Sequence, residues 1–161
     1  MPSSAQDFYL GNPNLKKVGT EIEFTQDQIQ EYLKCKADPV YFAMNYIKII
    51  SLDEGIVPFK MWDFQQELIR NFHENRFNIA KLPRQTGKST TCVSYLLHYV
   101  LFNDNVNVGI LANKLSTARD LLGRLQLAYE QLPMWLQQGI IVYNKGSMEL
   151  ENGSKILAAS T

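Results

Sequence analysis

The chain of 161 residues carries sixteen Lys and Arg and sixteen Asp and Glu side chains, so its formal net charge at pH 7 is zero. It therefore lacks the overall positive charge that by itself would indicate a nucleic-acid partner, although a local basic patch is compatible with this balance. A hydrophobic content of 45% and a charged content of 20% are typical of a globular domain.

Cysteine usage and the hydrophobic pattern restrict the class of protein further. Cys35 and Cys92 lie far apart and lack the CxxC or histidine spacing of a zinc site, and they do not make a disulfide framework. No apolar run approaches about 18 residues, and no leader pattern begins the sequence. We therefore expect a cytoplasmic protein that is neither secreted nor membrane-spanning.

Two segments are predicted to precede the main domain. Residues 1–24 contain Ser, Gly and Pro with little periodicity, which indicates an extended arm. Residues 25–61 are predicted to form two helices and a hairpin. Thr25-Gln26-Asp27-Gln28 is a capping-box pattern for the first helix, and Asp38-Pro39 can begin the second. The two apolar runs on either side of Gly55 predict the hairpin.

The main domain is predicted to occupy residues 62–161. After a first helix, its pattern predicts a strand at 77–82, a helix at 89–102 and a second strand at 106–112. A strand–helix–strand unit of this size is nearly always right-handed, with its strands parallel. We therefore predict an α/β fold of the P-loop NTPase kind, with three αβα layers and a mainly parallel sheet.

The loop before the helix at 89–102 carries the chemistry. It ends in Gly87-Lys88-Ser89, the close of the pattern GxxxxGK[ST], although the pattern's first glycine falls at Leu82. In that pattern backbone N–H groups surround phosphate, the lysine neutralises the β- and γ-phosphates, and the hydroxyl ligates Mg²⁺. Thr90 can reach the α-phosphate. The alternative is an ordinary strand-to-helix turn, with Gly87 as a bend and Lys88 in solvent.

The remaining residues of the main domain predict one helix and two hairpins. Apolar side chains recur at helical spacing over residues 115–132. From Gly139 the pattern changes to alternation around two turns, at Asn144-Lys145-Gly146 and Asn152-Gly153. Asn-Gly between alternating residues is a strong hairpin pattern.

Three features resemble the ATPase domain of the large terminases of myovirus-type tailed phages. They are the loop Arg84-Gln85-Thr86-Gly87-Lys88-Ser89, the pair Phe64-Gln65 and the block Val108-Gly109-Ile110-Leu111-Ala112-Asn113-Lys114. Large terminases are similar in placing an Arg-Gln pair where other P-loops are rich in glycine. The resemblance extends from about Asn12 to the end of the chain.

The resemblance implies ATP and Mg²⁺ as cofactors and assigns a role to each loop residue. Lys88 and Arg84 are implied to be catalytic, Arg84 as an arginine finger supplied in cis, and Ser89 is the implied Mg²⁺ ligand. Gln65 is implied to contact adenine. The implied nucleotide-binding set is Gln65, Arg84, Gln85, Thr86, Gly87, Lys88, Ser89 and Thr90. The alternatives are a surface carboxylate partner for Arg84 and an ordinary helix-surface position for Gln65.

The function implied by the resemblance is ATP hydrolysis that drives double-stranded DNA into a prohead. The implied partners are double-stranded DNA, the phage portal protein, the small terminase subunit and further copies of the chain in a homo-oligomeric ring, with no membrane. The implied location is the host cell cytoplasm, with transient docking at the prohead portal.

The second acidic segment of such an ATPase, an apolar strand ending in Asp-Glu, is not found after the loop. Asp53-Glu54 ends an apolar run but precedes the loop, and Gly55 follows at once, which favours a hairpin turn. We therefore expect an ATPase core truncated before its Walker B strand and inactive in hydrolysis by itself.

Other charged residues have weaker interpretations. Lys114, Arg119 and Arg124 can form a basic face of the kind that meets DNA, but a solvated helix face is favoured. His73 and His98 lack the neighbours that a metal would need. Two alternative functions stay open: a helicase-like or remodelling P-loop ATPase, and an interaction domain that binds no nucleotide.

Overall fold

The computed structural model describes residues 5–51 and 53–161. Residues 1–4 of the predicted arm and Leu52 of the predicted hairpin lie outside the described residues. The arm begins with two short 3₁₀ turns, Ala5–Asp7 and Tyr9–Gly11.

The described part of the arm is attached to the main sheet. Phe8 and Lys16 form an antiparallel bridge, and Lys17 forms a parallel bridge to Ile140. Leu15 is buried in the core. The bridge from Lys17 fixes the arm against a residue 123 positions further on in the sequence.

The two predicted N-terminal helices are confirmed as α1 (Gln26–Ala37) and α2 (Pro39–Tyr46). Thr25 and Gln28 exchange hydrogen bonds in a capping box at the start of α1. The carboxylate of Asp38 accepts the first free backbone N–H groups of α2, whose first residue is proline. Both starts are therefore fixed by local capping.

The predicted hairpin is also confirmed. It consists of β1 (Lys48–Ser51) and β2 (Gly55–Pro58), which pair antiparallel. Asp53 and Glu54 lie in its turn, as expected, and Gly55 has a φ of 76°, which suits glycine. The helix α3 (Asp63–Glu74) follows the hairpin.

The predicted core strand at 77–82 is wrong. The chain from Asn75 to Pro83 has no strand pairing, and α4 (Lys88–Phe102) follows it. Phe77 is 83% exposed and Ile79 is fully exposed. A strand needs a hydrogen-bonding neighbour, and no strand among the described residues pairs with this segment.

The main sheet is formed by the chain after α4. Its elements are β3 (Asn107–Ala112), α5 (Leu115–Glu130), β4 (Ile140–Tyr143), β5 (Ser147–Leu150) and β6 (Lys155–Ser160). The strand order is β3-β6-β5-β4, with β3 and β6 parallel and the other two pairs antiparallel. The turns at Asn144-Lys145-Gly146 and Asn152-Gly153 are where the alternation predicts them.

The predicted fold class is therefore wrong. The protein is a small α/β fold with a two-stranded antiparallel sheet and a four-stranded mixed sheet, instead of a three-layer P-loop fold with a mainly parallel sheet. The physical reason is the length of the connections. Tight turns join β4 to β5 and β5 to β6, which forces antiparallel pairing, and the connection through α5 leaves one parallel pair.

The described elements cover one face of the four-stranded sheet. α5 packs on β3 and β6, and it packs in turn against α4. Ile110, Ile156 and Met148 point into this core and are buried. On the opposite face Leu111 is 64% exposed and Leu157 is 57% exposed. This is the burial alternation of a half-covered sheet, which lacks the second helical layer of the predicted fold.

Candidate functional site

The loop before α4 is a tight turn held by its own hydrogen bonds. The hydroxyl of Thr86 donates to the carbonyl oxygen of Pro83 at 3.0 Å. Gln85 has a φ of 62° and Gly87 a φ of 72°, both in the left-handed region. Arg84 and Gln85 are exposed. The loop therefore turns sharply and directs the chain into the first turn of α4.

The start of α4 has no side-chain cap. Gly87 is the N-cap residue and has no side chain to accept the first-turn N–H groups, which have no acceptor within the helix. Thr91 instead donates through both its backbone nitrogen and its hydroxyl to the carbonyl oxygen of Gly87. Ser89 and Thr90 are half-buried in the first turn. The arrangement leaves backbone donors and two hydroxyls at the helix N-terminus, where a helix dipole favours an anion.

Lys88 folds back across the loop. Its ammonium donates to the carbonyl oxygen of Leu82 at 3.3 Å, and its side chain is half-buried. None of the ion pairs found among residues 5–51 and 53–161 involves Lys88 or Arg84. Burial raises the pKa of the Cys92 thiol, and the positive charge of Lys88 opposes that rise. The ammonium therefore lies beside the loop and the first turn of α4.

Gln65 is brought to the loop from α3. It is 5% exposed, and its side-chain nitrogen donates to the carbonyl oxygen of Thr86 at 3.1 Å. Its side-chain oxygen accepts from the backbone N–H of Trp62 at 3.0 Å. The predicted adenine contact stays a prediction, but each end of this amide is already bonded within the protein.

A cleft of about 390 Å³ adjoins Thr90. Apolar side chains of three elements form its walls, among them Ile49, Val93 and Leu127. Ser94 also lines it, and an ion pair between Asp120 and Arg124 at 3.0 Å stands at α5. The walls come from β1, α4 and α5, so no contiguous pattern in the sequence could predict this cleft.

The structure bears on whether the exposed basic side chains at α5 form a basic face or a solvated helix face. Lys114, Arg119 and Arg124 are exposed, but Arg124 is paired with Asp120 one helical turn away. This pairing favours the solvated helix face.

Sequence reasoning omitted Thr91, which is buried beneath the loop. Thr91 follows the N-cap glycine by four residues, and at this spacing a threonine hydroxyl reaches the i−4 carbonyl. The spacing is the sequence pattern that indicates this hydrogen bond.

The described residues hold no group of three or more His, Cys, Asp or Glu side chains that could bind a metal by themselves. His98 is instead buried and bonded to a backbone carbonyl. In the part of the chain that the structure describes, each helix is too short or too polar to cross a bilayer. Comparison of the sequence with models of known protein families gives no match.

Proposed function

We propose that the chain binds ATP with Mg²⁺ at residues 84–90. The observation that supports this most is the combination of an uncapped helix start with a lysine beside it: Gly87 opens α4 without a side-chain cap, and the Lys88 ammonium lies over the same loop. A triphosphate would accept the N–H groups that lack acceptors and would neutralise the lysine. The proposal concerns the loop and α4, and it does not need a parallel sheet.

Mg²⁺ suits this site because it binds through one or two protein oxygens together with substrate phosphates. The Ser89 hydroxyl, in the first turn of α4, belongs to the residue that directly follows Lys88. Residues 82–102 contain no carboxylate, so the acids that an ATPase needs to hold the ion and orient water must come from other segments. Bound Mg²⁺ would neutralise charge on the β- and γ-phosphates.

Arg84 is proposed to act on the γ-phosphate. It lies in the exposed turn of the loop, four residues before Lys88, and no carboxylate among the described residues pairs with it. An unpaired guanidinium at the edge of a phosphate site can stabilise the charge of the transferring group.

We further propose that ATP binding serves a motor that moves double-stranded DNA, as in the large terminases that the sequence resembles. The resemblance of the Arg-Gln loop supports this step. Such a motor would need the portal protein, the small terminase subunit and a ring of copies as partners. The exposed side chains of Lys114 and Arg119 are candidates for contacts with DNA phosphates.

Calorimetric titration of the chain with ATP·Mg²⁺ tests the proposal. Lys88→Ala removes a charged contact to phosphate and is expected to weaken binding roughly 10- to 100-fold. Lys155→Ala is the matched control, since Lys155 is an exposed lysine of β6 in an ion pair with Glu149 of β5. The affinity of the Lys155→Ala variant for ATP·Mg²⁺ should equal that of the unaltered chain.

Two results would contradict the proposal. One is a folded chain without measurable affinity for ATP·Mg²⁺ at millimolar concentration. The other is equal affinity in the Lys88→Ala variant. Either result would favour an interaction domain that binds no nucleotide, for which the exposed Leu111 and Leu157 on the uncovered sheet face would be the first surface to examine.

A further inference from the structure

Gln65 connects the loop to an element outside it. It is the third residue of α3, and its side chain extends from the start of that helix to the carbonyl oxygen of Thr86. The other hydrogen bonds of the loop, among them those from Lys88 to Leu82 and from Thr91 to Gly87, join residues within positions 82–91. The bond from Gln65 therefore relates the position of the loop to α3.

The opposite end of the same amide fixes the glutamine itself. The side-chain oxygen accepts from the backbone N–H of Trp62, which completes the cap at the start of α3. With both ends bonded and the side chain buried, Gln65 has a single orientation towards the loop. An amide held in this way is pre-organised, so little side-chain entropy is lost when it supports a bound ligand.

The contact also specifies which residue can follow Thr86. A Cβ atom at position 87 would lie 2.6 Å from the side-chain nitrogen of Gln65, far inside van der Waals contact. Gly87 also has a left-handed φ of 72°, which favours glycine. The bare Cα of Gly87 is therefore where the glutamine packs against the loop.

The direction of the Thr86 carbonyl determines the direction of the next N–H. In a planar trans peptide, the carbonyl of one residue and the N–H of the following residue point to opposite sides. Because the Thr86 carbonyl points to Gln65, the N–H of Gly87 points away from α3. Loss of the bond would free this peptide to rotate, and the Gly87 N–H would no longer keep one direction.

We infer that Gln65 is a positioning residue for the phosphate loop, acting through the Thr86 carbonyl and not through the base of a nucleotide. This inference rests on the proposed function, since it names how that site is kept in shape. It makes a prediction that an adenine contact does not: the effect of losing Gln65 is the same for a nucleotide and for a triphosphate without a base.

The test compares ATP·Mg²⁺ with inorganic triphosphate·Mg²⁺ as calorimetric ligands. Gln65→Met keeps the length of the side chain and adds no charge, and it removes both the donor to Thr86 and the acceptor for the Trp62 N–H. The variant is expected to weaken the binding of both ligands by the same factor, roughly tenfold for the one hydrogen bond lost to the loop. Gln126→Met is the matched control, because Gln126 is a buried glutamine that donates to the Asn144 carbonyl at 2.8 Å, in a different part of the fold. It should leave both affinities unchanged.

A second variant covers the case in which Gln65→Met does not fold, as judged from its thermal unfolding. Gln65→Asn adds no charge and shortens the side chain by one methylene group, so its donor no longer reaches the Thr86 carbonyl. The binding of ATP and of inorganic triphosphate should again weaken together. Weaker binding of ATP with unchanged binding of inorganic triphosphate would overturn the inference and assign Gln65 to the base. If the unaltered chain binds neither ligand, the proposed function fails and the inference fails with it.

Discussion

The ring nitrogen Nε2 of His98 donates a hydrogen bond to the backbone oxygen of Cys35 at 2.8 Å, which joins α4 to α1. The imidazole is 3% exposed and packs against the rings of Phe42 and Phe102, which also contact each other. Burial lowers the pKa of His98 from 6.5 to about 4, and the neighbouring His73 acts in the same direction. Its bond to the Cys35 carbonyl and the charge of Asp38 act in the opposite direction but are weaker.

The first prediction is an acid-sensitive stability that depends on His98. Below pH 6.5 the unfolded chain binds a proton at this residue, whereas the folded chain does so only near pH 4. The free energy of unfolding should therefore fall as the pH drops through this window, by up to about 3 kcal/mol, and this contribution should be absent above it. Urea unfolding at a series of pH values measures the effect.

His98→Gln keeps a hydrogen-bond donor but does not titrate, so its stability should fall less over the same pH range. His73→Gln, at an exposed histidine of α3, should retain most of the dependence. Equal slopes for His98→Gln and the unaltered chain would assign the acid sensitivity to other groups.

The second prediction concerns the attachment of the arm through Glu151. Its carboxylate accepts from the backbone N–H of Gly139 at 2.8 Å and of Gly19 at 3.0 Å, and Lys16 lies 3.6 Å away. Glu151→Ala leaves those donors without an acceptor and should cost about 1–3 kcal/mol of unfolding free energy. Trypsin should also cut faster after Lys16 and Lys17.

Glu149→Ala is the control for this variant, because Glu149 makes an exposed pair with Lys155 that should contribute less than about 1 kcal/mol. Burial raises the pKa of Glu151, but the two backbone donors and Lys16 outweigh it and lower the pKa overall. The stabilisation by Glu151 should therefore be present at neutral pH and be lost as the pH falls through its folded pKa. Unchanged tryptic cleavage in Glu151→Ala would show that the arm is held by other contacts.

The third prediction compares two glycines. Gly153 has a φ of 81°, and a Cβ there would overlap the side-chain oxygen of Asn105. Gly153→Ala should therefore lower the unfolding free energy by about 1–3 kcal/mol. Gly123 lies exposed within α5, and a Cβ there meets no atom within 4 Å. Gly123→Ala should raise stability by about 0.5–1 kcal/mol. Chemical unfolding of both variants measures the difference, and a Gly153→Ala variant as stable as the unaltered chain would show that the turn relaxes freely.

The fourth prediction tests the unpaired segment before the loop. Ile79 is fully exposed, so Ile79→Ala should change the unfolding free energy by less than about 0.5 kcal/mol. Ile110 is buried at 6% exposure on β3, and Ile110→Ala should cost about 2–5 kcal/mol. A cost above 2 kcal/mol for Ile79→Ala would mean that this segment is packed in solution as a core strand.

Several parts of this structure could be predicted from the sequence because their interactions are local. The caps at Thr25 and Asp38 each join a side chain to backbone within three residues. The hairpin turn at Gly55 and the turn at Asn152-Gly153 likewise depend on backbone preferences of the turn residues. The loop residues of the candidate site are contiguous, so the motif names them together.

Other features depend on residues remote in the sequence, and only the tertiary structure decided them. The apolar run at 77–82 has the composition of a strand, but composition alone does not provide a strand to pair with. The run therefore stays unpaired. The orientation of Gln65 likewise depends on a remote residue, since its hydrogen-bond partner Thr86 lies 21 positions further on. No pattern around Gln65 distinguishes a contact with a base from a bond to the loop.

The sequence by itself determined where α1, α2 and the turns begin, because capping and turn preferences act over three or four residues. The tertiary structure alone decided the strand order, the single parallel pair, the uncovered sheet face and the orientation of Gln65. Each of these requires a hydrogen-bonding or packing partner from a distant segment, and the free energy of that pairing is not encoded in either segment separately.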